Sequence, residues 1–220
     1  MNARRLTAAV LCSAAMLTGL GGCAKKGDIV VDSGVGITAV RSRCPAVGIP
    51  DYTGDVTLFR SGADRTAASI DVVAAMTNVR SQCNEEAADK VFAKIDFDVL
   101  GRRNDTSGTR RVTLPYFVTV LQGGNAVVSK RLGSVTLDFA DGQARAQAHG
   151  TGTAYIDRAA ATLPEDIRER ITRKRKAGDT DAALDPLADP EVKAALARAS
   201  FEVLVGFQLD DNQLAYNARR

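Results

Sequence analysis

The chain reads as a mainly β protein: a β-sandwich of about seven strands with two short helices before the last strand. Three observations carry that reading. Apolar and polar residues alternate over several stretches, glycine-containing turn pairs fall between them, and only two segments switch to helical spacing. Composition permits it, since the 220 residues are 45% hydrophobic and 25% charged, an ordinary globular balance, although tryptophan is absent.

VTLF (56–59) and SIDVVAAM (69–76) are the first two strands expected. In VFAKIDFDVL (91–100), Val91, Ala93, Ile95, Phe97 and Val99 share one face, while Lys94, Asp96 and Asp98 share the other. A half-buried strand requires that pattern. RVTLPYFVTVL (111–121) is β-branched and aromatic, and Pro115 within it favours an edge position because proline donates no ladder hydrogen bond. Gly123-Gly124-Asn125 offers a turn into AVVSKRLGSVTLDF (126–139), and Asp141-Gly142 is a strong hairpin signal into the strand that carries Ala144, Ala146 and Ala148. FEVLVGFQL (201–209) supplies the last strand.

Between these lie the two helices, within an insertion of about 163–199. Thr162-Leu163-Pro164-Glu165 has capping-box spacing, Leu163, Ile167 and Ile171 make an apolar stripe, and Gly178 follows as a stop. The second helix starts at Asp189-Pro190, with Val192 and Leu196 one turn apart. The strand count and short turns resemble immunoglobulin-like or fibronectin-like sandwiches. The Cys-Trp-Cys signature of antibody domains is missing, so the likeness implies an architecture and no function.

The N-terminus carries a different message. Arg4 and Arg5 precede an apolar run, Leu6 to Leu20, that is shorter than the roughly 20 residues needed to span a bilayer and suits an export signal. Leu20-Gly21-Gly22-Cys23 resembles the lipobox of bacterial lipoproteins. The resemblance implies a diacylglycerol thioether on Cys23, cleavage before it and usually an acylated amine, hence a chain anchored to a membrane by lipid. An ordinary signal peptide with an incidental cysteine is the competing reading. Ala24 after the cysteine implies sorting, as in enteric bacteria, to the outer membrane, facing the periplasm. The tail DDNQLAYNARR is loosely similar to endings of uncharacterised alphaproteobacterial envelope lipoproteins.

This divides the chain into a signal peptide (1–22), a lipidated N-terminus and tether (23–43) and a sandwich domain (44–220). A flexible tether of that length has an r.m.s. span of about 25 Å, although IleValVal at 29–31 argues that part of it docks as a strand. Residues 1–22 hold Arg4 and Arg5 and no acid, so without them the formal charge falls from +3 to +1. That balance argues against nucleic acid as a partner. With Cys12 lost with the signal and Cys23 carrying lipid, Cys44 and Cys83 remain in an oxidising setting and are expected to pair, two free buried thiols being the alternative.

Candidate chemistry is sparse. His149 is the sole histidine, on the polar face of its strand, and no nucleophile is assignable to it from spacing. Asp96 and Asp98 point the same way and could belong to a carboxylate pair or a cation site, with a solvated strand face as the plainer reading. GVG (34–36) and GTG (150–152) lack phosphate-binding context and read as turn or bulge glycines. Arg168, Arg170, Arg173, Lys174, Arg175 and Lys176 form the one dense cationic cluster, able to meet anionic lipid, lipopolysaccharide or an acidic partner. Glu165 and Asp166 opening that helix, with cations closing it, also simply complement its dipole. No catalytic set, metal or cofactor is expected. The expected role is a non-catalytic binding or assembly module of the envelope; an accessory subunit of an export or surface-assembly machine is the alternative, and an enzyme acting on cell-wall or lipid material stands third.

Overall fold

The alternation at 91–100 sets the frame of the molecule: Val91, Ala93, Ile95, Phe97 and Val99 are all fully buried. In the computed structural model, which describes residues 38–60, 65–86 and 89–219, they line the inner face of β4 (Lys90–Arg103). That strand lies in a four-stranded antiparallel sheet with β2 (Asp55–Phe59), β3 (Ile70–Asn84) and β7 (Arg145–Asp157), ordered β2-β3-β4-β7. The facing sheet is ordered β1-β8-β5-β6, from β1 (Ala46–Gly48), β8 (Phe201–Phe207), β5 (Arg110–Gln122) and β6 (Ala126–Phe139). Val112, Leu114, Tyr116, Val118 and Val120 of β5 interleave with the β4 row in one core, where the rings of Phe97 and Tyr116 meet edge to face at 5.0 Å.

All seven expected strands form, and the turn glycines do what their positions demand. Gly123 and Gly124 adopt φ of +63° and +82°, and Gly142 +75°, conformations that a side chain disfavours. Gly150 and Gly152 correct the turn-or-bulge reading of GTG: they lie inside β7 and make room for the core. A Cβ on Gly150 would stand 2.2 Å from Phe97 Cζ, and one on Gly152 2.5 Å from Val118 Cγ2.

Other expectations are corrected too. An eighth strand, β1, pairs parallel to β8 over three residues, too few to show alternation in sequence. The strand expected at 69–76 continues to Asn84 as β3, whose later residues, Thr77 to Asn84, are mostly exposed and so show no apolar period. Pro115 is not on an edge, because β5 lies between β8 and β6. It is tolerated where β8 runs out: Tyr116↔Phe207 is the last register pair, and Gln208 N–H donates to Pro115 O at 2.9 Å in the final rung.

The capping box at Thr162 does not form. Thr162 Oγ1 instead donates to Arg158 O, Pro164 stands at the cap, and α1 (Glu165–Thr172) stops six residues before Gly178. α2 (Pro190–Ala199) begins as expected, its first amides bonded by Asp189. Ile167 and Ile171 pack with Val192 and Ala195 as a second, smaller core. The tail after β8 is helical as well: α3 (Asp211–Asn217) is capped reciprocally by Asp210 and Gln213 and covers β2 through Tyr216 on Phe59.

The last residues of the expected tether are docked rather than free. Ala39 N–H donates to Ile171 O at 2.9 Å, and Arg43 reaches both Thr162 and Glu85. Cys44 and Cys83 form the expected disulfide, with Cα atoms 6.0 Å apart. This proximal end also holds α1, α2 and the Lys90↔Asp157 pair, whereas the distal end holds the turn at Asp141-Gly142. At the distal end Arg103 is 2% exposed, with its guanidinium among four carbonyl oxygens.

Candidate functional site

Because odd-numbered residues of β4 face the core, even-numbered ones line its outer face. Register then assembles that face in rows across β3, β4 and β7. From the distal end these rows read Val73–Arg102–Arg145, Ala75–Leu100–Gln147 and Thr77–Asp98–His149; beyond a bulge come Arg80–Asp96–Thr151 and Gln82–Lys94–Thr153. Among the described residues α3 packs on β2, and α1 and α2 sit at the proximal end, so these leave the rows open.

His149 and the Asp96/Asp98 pair, unrelated in sequence, meet here. His149 Nδ1 lies 3.2 Å from Asp98 Oδ1 and Nε2 lies 3.5 Å from Asp96 Oδ1. An ionised carboxylate only accepts, so Nδ1 carries the hydrogen in the first contact. Asn78 Nδ2 donates to the other Asp98 oxygen at 2.6 Å, and Lys94 Nζ bonds Asp96 at 3.0 Å. The Asn78 amide, and after it His149, holds the Asp98 carboxyl below its ordinary value; Lys94 does the same for Asp96. Both acids are therefore anionic at neutral pH. Asn78 reaches Asp98 because β3 bulges between Thr77 and Arg80, with Asn78 at a φ of +55°, a left-handed conformation that asparagine adopts more readily than most residues. Asn78 left no trace in sequence, where the strand seemed to end at Met76. Among the described residues no group of three or more His, Cys, Asp or Glu side chains is arranged to hold a metal ion.

Distal to this cluster is a concavity of about 830 Å³, floored by Ile70, Val73, Ala75 and Leu100, with Arg102 and Arg145 at its margin. Leu100 is 48% exposed. Arg102 and Arg145 stand directly opposite one another, and neither has an ion-pair partner among the described residues. Like charges so placed repel. Sequence reading passed over both, since each looks like an isolated surface cation until the register is known. At the proximal end Phe92 and Tyr155 pack at 5.1 Å, with the Arg131 guanidinium 5.7 Å from the Tyr155 ring.

The arginines of the cationic cluster are ion-paired within the fold. Arg168 and Arg170 lie on α1, whereas Arg173, Lys174, Arg175 and Lys176 follow the end of the helix. Arg168 pairs with Glu165, Arg170 with Asp189 and Glu191 at 2.5 and 2.7 Å, and Arg173 and Arg175 with Asp181. Arg175 is 3% exposed and also donates to Arg170 O. Lys176 uses its backbone N–H on Asp179, and Lys174 takes part in contacts of its own. Four of the six cations thus hold the helical insertion to its own acids. Cys23 lies outside the described residues, as does GVG at 34–36.

Set against protein-family models, curated proteins and solved structures, the chain matches none. Its chemistry is read from its own side chains.

Proposed function

We propose that the chain is a lipid-anchored envelope protein of the non-catalytic binding or assembly kind, tethered at Cys23 and working through the open outer face of β3, β4 and β7. The observation that carries this reading is the ordering of that uncovered face. A cation pair, an apolar floor and a carboxylate–imidazole cluster follow one another along three strands, with Asn78 held in a left-handed conformation to complete it. A merely solvated face needs none of this. The lipobox residues 20–23 support the anchor, and periplasmic exposure at the outer membrane goes with it.

The test places a photocrosslinking residue at Thr77, Gln147 or Thr153 in intact cells. Adducts from these positions and not from Thr113, on the outer face of the other sheet, support the reading. Equal labelling from both faces overturns it. Cys23→Ser should abolish incorporation of labelled palmitate, and unchanged labelling removes the anchor.

The accessory-subunit reading has an observation of its own. β6 is the edge strand of its sheet, its first seven residues are exposed, and Val127, Val128 and Leu132 are 65%, 53% and 68% exposed. An apolar edge strand invites pairing with another chain. Val127→Lys with Leu132→Lys should then release a stoichiometric partner that co-purifies with the parent protein.

A further inference from the structure

We infer that the distal concavity takes a phosphate-bearing single-chain lipid, its headgroup between Arg102 and Arg145 and its acyl chain along Ile70, Val73, Ala75 and Leu100. The inference deepens the reading of the open face as a binding surface and rests on it. Two independent features converge. The first is electrostatic: Arg102 and Arg145 are directly opposed across β4 and β7, with no acid paired to either among the described residues. Residues opposed in this way have Cα atoms about 4.5–5.5 Å apart, close enough for two guanidinium forks to converge on one tetrahedral anion. An isolated sheet loses stability by such an arrangement, and a bound dianion reverses the sign of the interaction.

The second is shape. About 830 Å³ of concavity falls within the size range of small-molecule sites, and its floor is aliphatic rather than aromatic. Flexible alkyl chains suit such a floor, whereas flat rings find no stacking partner there. Charge and apolar surface adjoin: on the outer face Leu100 stands one step from Arg102 along β4, and Val73 stands opposite Arg102 on β3. The ligand is thus an amphiphile with an anionic end. Asn104, at the same margin, donates its amide to Ile70 O and holds the rim in place.

Calorimetric titration of the mature protein with dodecyl phosphate, below its micelle concentration, tests this beside inorganic phosphate and dodecyl maltoside. Dodecyl phosphate should bind one-to-one, with both comparison probes weaker by about tenfold or more, as loss of either the charge-assisted bonds or the apolar burial requires. The Arg102→Gln/Arg145→Gln variant should lose that preference while unfolding at an equal or slightly higher temperature without ligand, because a repulsion has gone. Binding of dodecyl phosphate that is undiminished in this variant, or no tighter than that of the maltoside, overturns the assignment. Tight binding of inorganic phosphate alone overturns the lipid in favour of a free anion. Crosslinking from Gln147 in cells, combined with no dodecyl phosphate binding, overturns the lipid and leaves the open-face reading intact; loss of both overturns both.

Discussion

Replacing Arg103 with methionine should cost the fold about 3 kcal/mol, the upper end of the range for hydrogen bonds made by a charged group. The side chain is 2% exposed and has no ion pair among the described residues. Its Nε lies 2.8 Å from Gln143 O, and its Nη2 lies 2.8 Å from the carbonyls of Thr106, Gly108 and Ala140. The guanidinium also sits 5.4 Å from the Phe139 ring centroid. Methionine keeps the stem packing and removes every donor. Charge-assisted bonds contribute roughly 1.5–3 kcal/mol each, but four of them do not add, because the freed carbonyls lie in loops that water can reach and the cation's own desolvation cost disappears. A chain of this size loses about 2–4 °C per kcal/mol, so the unfolding midpoint should fall by roughly 6–12 °C. Circular dichroism against temperature and urea reads the change, and hydrogen exchange at residues 104–109 should accelerate with it. A loss under about 1 kcal/mol would show that the carbonyl cage is incidental to stability.

Other outcomes are equally definite. Reduction, or Cys44→Ser with Cys83→Ser, should lower stability by roughly 3–4 kcal/mol for a closed loop of this length, read from the urea midpoint; an unchanged midpoint refutes the contribution. Gly150→Ala should destabilise by about 1–3 kcal/mol through overpacking on Phe97, and Phe97→Leu in the same chain should recover part of the loss, which a purely conformational glycine effect would not. Asp98 is held below its ordinary pKa chiefly by the Asn78 amide, so its contribution is present above about pH 4, the unfolded value, and is lost as pH falls through the lower folded one. Asn78→Gly keeps the left-handed backbone and removes the amide. It should be less stable than the parent at pH 7 and equal to it near the bottom of the acid limb, and a gap persisting there would assign the effect to something other than Asp98.

Strand positions were legible wherever one face is buried and the other wet. The rows 91–99 and 135–139 announce themselves by alternation because their polar partners meet water. The second half of β3 was silent for the same reason, since of Thr77 to Asn84 only Val79 and Cys83 are half-buried and a bulge between Thr77 and Arg80 interrupts the period. Pro115 misled because a proline's missing donor matters only where a neighbour offers an acceptor, and β8 stops there. The open face was illegible for a deeper reason. Asp98 and His149 are 51 residues apart, and only the pairing of β4 with β7 makes them neighbours. Composition correctly flagged each residue type and could not supply the register. The cationic cluster shows the converse, for adjacency in sequence made its charge conspicuous, while the acids that pair with its arginines, Asp181, Asp189 and Glu191, lie later in the chain.

The disulfide decides how the domain answers a pull. Tension arriving along residues 38–43 meets Cys44 before it meets β1, which is held to β8 by only three register pairs. Through Cys83 the load passes into β3, fifteen residues long, which pairs with β4 along its length and with β2 from Ile70 to Ala75. Many more ladder pairs must fail there than the three of β1. Oxidised, the domain hangs from its longest strand; reduced, from its shortest.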